Sequence, residues 1–314
     1  MTNAAPATAR GTPASRSRWP GFAAPARLAE FLVIWVPLLL SAGHVVVFTL
    51  WTTWVSFTPS TLVPVEGWVG WRNYTAVLGT RNWKIAFDNL LLFGFGFVVL
   101  TALVGLLLAI LLDQRIRGEN VLRSIFLYPM AVSFVVTGTV WSWLLNPGMG
   151  IQKLVNDLGW ASFRFDWLID RDMAIWTIVI AGIWQSSGFA MALFLAGLRS
   201  VEGDLIKAAQ IDGAGPIRLY TRVILPTLWP IVIAVMVILL QFAIKTFDLV
   251  RALTGGGPGL ATQLPALVVY DFMFQRGHIG RGSAAAVLML LTLLGVLLPY
   301  GVWKYYQRRR AANA

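Results

Sequence analysis

Six stretches of the chain, at 31–57, 89–112, 122–145, 173–198, 228–250 and 283–303, are apolar almost without interruption. Each is long enough to cross a bilayer, since about 20 residues at ~1.5 Å each traverse a ~30 Å hydrocarbon core. The pattern predicts six transmembrane helices and no strands. Between the fourth and fifth runs lies a polar, helix-compatible island, EGDLIKAAQIDGAGPIRLYTRVILPTLWP, at 202–230. The other connections are predicted as loops. Residues 58–84 carry Pro59, Pro64, Gly67, Gly70 and Gly79 with Trp68 and Trp71 as interfacial anchors; 113–123 is a short charged turn; Asn146-Pro147-Gly148 opens a loop to residue 172; and Thr254-Gly255-Gly256-Gly257-Pro258 is too rich in glycine for a helix.

The predicted organisation has four parts. Residues 1–28, rich in Ala, Pro, Ser, Thr and Arg, form a disordered cytoplasmic tail; 29–85 hold the first span and an outer loop; 86–304 form a five-helix core containing the polar loop 199–226; and 305–314 are a basic cytoplasmic tail.

Composition supports a membrane protein, because of 314 residues 57% are hydrophobic and only 12% charged, about half the charged share of a soluble chain. The net charge of +11 is then explained by its distribution rather than by nucleic acid. With the N-terminus inside, fifteen Lys and Arg fall in cytoplasmic segments and nine in outer ones, with Lys245 inside a span. That bias places both termini and the polar loop in the cytoplasm. The chain has no cysteine, and neither His44 nor His278 has a carboxylate cluster beside it in sequence, so no metal site is expected. No GxxxxGK[ST] loop and no catalytic pair is present, so no catalytic residue is assigned and ATP must be hydrolysed elsewhere.

The polar loop carries a spacing more specific than its composition. Ala208-Ala209, Gly213, Val223 and Leu225-Pro226 resemble the E-A-A, G, I-x-L-P signature of permease subunits in binding-protein-dependent ABC importers. Phe247-Asp248 and Leu253 to Pro258 resemble the FD...LTGGGP segment of the carbohydrate, maltose-type branch. LDQRIR, LYPMAVSFVVTGTVW, LLNPGMG and AAQIDGA are similar to a permease of bacterial glucose/mannose importers. The resemblance covers most of 112–258. It implies an all-α type I importer permease (MetI-like) fold in a bacterial inner membrane. It also implies a second permease subunit, an ATPase dimer using ATP and Mg2+, and an extracytoplasmic sugar-binding protein as partners, with no cofactor held by this chain. The implied coupling residues are Glu202, Lys207, Ala208, Ala209, Asp212, Gly213 and Pro226. Small residues at 208 and 209 would let the ATPase approach, Gly213 would turn the chain sharply, and Pro226 would begin the next helix. Lys207 stands where the family has Glu, so Glu202, Asp204 or Asp212 would have to supply the ionic contact.

Polar residues at mid-span mark candidates for the substrate path, since they usually face a cavity or a partner. These are Gln185, Ser186 and Ser187 beside Trp184, and Gln241, with Asn89 and Trp141 nearer the span ends. Amides, hydroxyls and an aromatic face suit a sugar; interhelical hydrogen bonding is the competing role for the two glutamines. Lys245 and Asp248, three apart, are expected to share a helical face and pair with each other near the outer boundary. The outer-end motif Gly255, Gly256, Gly257 and Pro258 follows them. A gradient-driven carrier or a membrane enzyme are the alternatives, without a central carboxylate, repeat or catalytic constellation to favour them.

Overall fold

The computed structural model describes residues 25–114 and 116–312. The predicted disordered tail therefore lies outside the described residues, apart from the helical 25–28, and so does Arg115. All regular structure among the described residues is helical. By length and composition five helices can cross a membrane, and six if one bent pair counts as a span.

The chain divides into two units, Met1–Leu50 and Trp51–Ala314. In the first, α1 (Pro25–Ser56) presents apolar side chains such as Leu39, Val45 and Val47 at its surface. His44 is used in packing there, its ring 4.3 Å from that of Phe48.

The second unit is built on α3 (Arg81–Asp113) packed along α7 (Ala174–Leu198). Lipid tails are as apolar as the helices, so close packing rather than the hydrophobic effect must hold these spans together. Gly105 shows how: a Cβ there would sit 2.5 Å from that of Ala190 and 2.9 Å from the Met191 nitrogen. Gly188 lets α4 (Glu119–Ala131) approach α7 so closely that a Cβ would overlap the Phe126 carbonyl. Gly138, on α5 (Phe134–Leu144), does the same for α11 (Asp248–Leu253), where a Cβ would lie 2.7 Å from Ala252 Cβ. Around these contacts Phe93, Phe97, Ile178, Met191, Phe194 and Leu239 form the buried core.

Three predicted spans differ from the structure. The third run is two helices, α4 and α5, bent by 97°. Val132 and Ser133 are both extended, and the Ser133 hydroxyl accepts the Val135 N–H at 3.3 Å, starting a new helix where the apolar run gave no sign of one. The fifth span begins earlier and ends earlier than predicted. Helix starts at Pro216 in α9 (Pro216–Leu219), passes a π turn at Tyr220–Ile224, and continues as α10 (Leu225–Lys245), breaking at Thr246 and Phe247 before α11. Pro216 is thus the helix-starting proline. Pro226 sits just past the π turn, whose wider spacing joins the Leu225 N–H to the Tyr220 carbonyl and absorbs a proline within continuous helix. The sixth span, α13 (Ile279–Ala312), carries the basic segment as its last turns through residue 312, not as a separate tail after 304.

The predicted outer loops also hold structure. α2 (Arg72–Gly79) and the first turns of α3 occupy the 58–84 connection, and α6 (Ile151–Asp157) the 146–172 one. α12 (Pro265–Tyr270) with a π turn at Asp271–Gln275 precedes α13. A second buried cluster joins Tyr74, Val77, Trp83, Val268, Phe272 and Ala284 across α2, α3, α12 and α13.

Replacing Gly188 or Gly105 with Ala should lower the melting midpoint of the detergent-purified protein, at about 1–3 kcal/mol for overpacking. Gly94→Ala, whose Cβ would meet nothing nearer than 3.9 Å, should leave it unchanged.

Candidate functional site

Two helix breaks and the middle of α7 converge on a cavity of about 300 Å³. Met130 and Phe134 flank the α4–α5 bend, Gln185 and Ser186 lie midway along α7, and Phe242 to Leu249 span the α10–α11 break. Irregular backbone at membrane depth is tolerated only where protein or a cavity satisfies it. Gln185 supplies that satisfaction at the bend: its Nε2 donates to the Val132 carbonyl at 2.7 Å. It is only 2% exposed, and its Oε1 is buried without a hydrogen-bond partner. The amide nitrogen thus ties two helices together, which is the interhelical role considered for this residue, in a side chain that also lines the cavity.

Lys245 and Asp248 do not share a helical face, because Thr246 and Phe247 interrupt the helix between them. Neither joins an ion pair among the described residues; both line the cavity instead. The Thr246 hydroxyl is used locally, donating to the Phe242 carbonyl at 2.8 Å. The residues that bring polar groups to the lining are therefore Gln185, Ser186, Lys245 and Asp248. Phe134, Phe242 and Phe247 add apolar surface.

The remaining path candidates lie elsewhere. Trp184 and Trp141 meet edge to face with centroids 6.0 Å apart, and neither lines the cavity, nor does Ser187. Gln241 is half-buried and outside the lining. Asn89 has a structural role, its Nδ2 donating to the carbonyls of Leu260 and Gln263 at 3.0 Å each.

Those two bonds hold the glycine-rich segment against α3. Gly255 and Gly256 have φ of +63° and +95°, and a Cβ on Gly256 would run into Gln263 Oε1. Thr262 donates to the Gly257 carbonyl at 2.7 Å, closing the turn around Pro258. The motif acts as a clasp that seats α11, and with it Asp248 and Leu249, against α5. The sequence offered Asn89 as a path candidate or an anchor near a span end, and the anchoring role is the one seen, while Thr262 and Gly138 were not singled out.

At the far end of α7 the polar island forms α8 (Gly203–Ile211). It ends in a reciprocal cap: Gly213, at φ +77°, donates to the Gln210 carbonyl, and Ala214 donates to that of Ala209, each at 3.0 Å. Gly213 is required by this backbone conformation, since a Cβ there would meet nothing within 4 Å. Of the two small residues only Ala208 faces outward; Ala209 packs with Ile206 onto the core. The outward surface also carries Ile211 and Ile217, 86% and 81% exposed, which the spacing argument passed over. Lys207 pairs with Asp204 at 3.0 Å, while Glu202 and Asp212 flank the helix as its cap residues and stay out of any ion pair among the described residues. At the base of the loop Arg199 reaches Glu119 at 2.5 Å and Asp113 at 3.8 Å, joining the ends of α3, α4 and α7.

Residues 101–312 match the family described as the binding-protein-dependent transport system inner membrane component. The chain belongs to this family. A probable ABC transporter permease protein of Pyrococcus horikoshii is 36% identical over 286 residues, covering 90% of this permease and 98% of the relative. The xylose/arabinose import permease protein XacH of Haloferax volcanii is 36% identical, covering 74% of each chain. The trehalose/maltose transport system permease protein MalF of Thermococcus litoralis is 32% identical, covering 86% and 91%. The fold is that of a chain in the crystal structure of a bacterial alginate ABC transporter in complex with alginate pentasaccharide-bound periplasmic protein, with a TM-score of 0.72 at 18% identity over 87% and 94% of the two chains. The matched region contains the cavity, the glycine-rich turn and the α8 loop of the permease. It leaves out α1, α2 and α3 before residue 101, Asn89 included.

Gln185→Leu should lower both the melting midpoint of the permease and its transport rate, because it strands the Val132 carbonyl at a cost of about 1–3 kcal/mol. Gln241→Leu, outside the cavity, should leave transport within about twofold of wild type by uptake assay, a free-energy change under ~0.5 kcal/mol.

Proposed function

We propose that this permease forms half of the translocation path of an ATP-driven sugar importer in a bacterial inner membrane. The observation that carries this reading is the cavity, where Ser186, Lys245 and Asp248 line the wall beside aromatic side chains. Sugar hydroxyls both donate and accept, so they can engage a hydroxyl, an ammonium and a carboxylate, while the apolar ring face lies on phenylalanine. The names of the relatives point the same way: xylose and arabinose, trehalose and maltose, and sn-glycerol-3-phosphate are all hydroxylated solutes. The resemblance of 112–258 to glucose/mannose importer permeases favours a monosaccharide such as glucose or mannose, while Lys245 and Asp248 together give the lining no net charge to set against an anionic solute.

The α8 loop would dock in a cleft of an ATPase dimer that uses ATP and Mg2+, and the permease would pair with a second permease subunit and receive solute from an extracytoplasmic binding protein. Exposed Ala208, Ile211 and Ile217 provide an apolar contact surface, with Asp212 the acid free to replace the absent glutamate beside Lys207. The basic-residue bias supports a cytoplasmic position for this loop and for both termini. Arg199 tying the loop base to α3 and α4 gives docking motion a route into the spans.

Uptake of a panel of labelled sugars into vesicles containing the permease, its partners and the binding protein tests the reading. ATP-dependent glucose or mannose uptake is expected; disaccharide or glycerol-phosphate uptake instead would correct the solute. Uptake driven by an ion gradient without ATP would overturn the importer assignment. For the loop, Ala208→Trp and Ile211→Asp should reduce ATPase co-purification about five- to tenfold or more, equivalent to about 1 kcal/mol or more of interface energy, without changing permease melting. Ala209→Trp should destabilise the permease itself. Lys207→Ala should be mild and Asp212→Lys severe in the same co-purification assay.

A further inference from the structure

A second cavity, lined by other residues of α10 than the first, runs along the bundle between α3, α10 and α13. It holds about 360 Å³ and is lined from Phe87 to Val99 on α3, with Leu240 on α10 and Val296 on α13 across from them. Its lining is apolar except for Thr292, whose hydroxyl is already donated to the Leu288 carbonyl at 2.9 Å. Gly94 lies in its wall, and a Cβ added there would touch Ala243 and Leu240 on α10 at 3.9 Å without a clash. Twelve residues of α3 extend ~18 Å at ~1.5 Å each. The groove is long and apolar.

The charge at one end completes the fit. The first turns of α3 carry Arg81 and Lys84 against a single acid, Asp88, and none of the three is in an ion pair among the described residues. Lys84 lies seven residues before Leu91, on the helical face that lines the groove. We propose that this groove binds one acyl chain of a phospholipid, with the headgroup phosphate held at Lys84. The occupant is a lipid rather than a partner helix because an exposed cation, in no ion pair among the described residues, stands at the end of an apolar groove, where a headgroup phosphate would complement it. An exposed lysine at the end of a span reaches naturally to the headgroup level.

Photolabelling tests this on the intact importer in vesicles of phosphatidylethanolamine and phosphatidylglycerol, using a phosphatidylglycerol probe with a mid-chain diazirine. Labels should concentrate on residues 87–99 and 236–244. Gly94→Leu, which fills the groove, should cut that labelling at least fivefold while the melting midpoint holds, and Lys84→Glu should cut it about threefold. Should Gly94→Leu fail to fold, Leu240→Trp serves as the second plug. Labelling spread evenly over other exposed α3 positions such as Leu103 and Leu107, and insensitive to the plugs, would overturn the proposal. So would cross-linking of a cysteine placed at Phe95 to a second permease subunit in place of lipid.

Discussion

Backbone groups inside a bilayer have no water to fall back on, and the hydrogen bond from Gln185 to the Val132 carbonyl is where this chain meets that constraint most directly. A 97° bend in a membrane-embedded segment exposes carbonyls and amides that straight helix would have paired. One is taken by the Gln185 amide and another by the Ser133 hydroxyl, so the bend is held from both sides. The cavity exists because of it. Without the bend, Met130 and Phe134 would lie on one straight helix, and the α10–α11 break would face them with no space between.

The same constraint explains how the glycines are used. Gly105, Gly138 and Gly188 each stand where a neighbouring helix comes too close for a Cβ, and each serves a different helix pair. Together they lock α7 against α3 and α4, and α5 against α11. The clasp built from Asn89, Thr262 and the glycine-rich turn then fixes the far end of α11. Asp248, itself exposed, is therefore carried at the cavity wall on a helix held by tertiary contacts on both sides.

The opposite end of the bundle is built differently. α8 is short and mostly exposed, and only Ile206 and Ala209 tie it to the core. Its regular shape depends on the reciprocal cap at Gly213 and on the Arg199 cluster at its base. An element so lightly attached yet so well capped is suited to meeting another protein as a unit. The π turn that follows adds a local widening between this loop and α10, at the junction through which any displacement of the loop must pass.

The number of spans, the polar island and its family signature were legible in the sequence, because each depends on composition or spacing along the chain alone. Uniformly apolar runs say that a segment is in lipid, but they carry no amphipathic period and so do not say where it bends or which side faces a neighbour. That is why the α4–α5 bend, the early end of α10 and the cavity-facing position of Lys245 and Asp248 emerged only in three dimensions. Gln185 was legible as an isolated mid-span amide, but its partner, Val132, is 53 residues away and has an apolar side chain; the bond is made to its backbone, which no residue type reveals. Likewise the pair Ala208-Ala209 reads as one small-residue feature, and only the packing of α8 on the core decides that the first faces out and the second in.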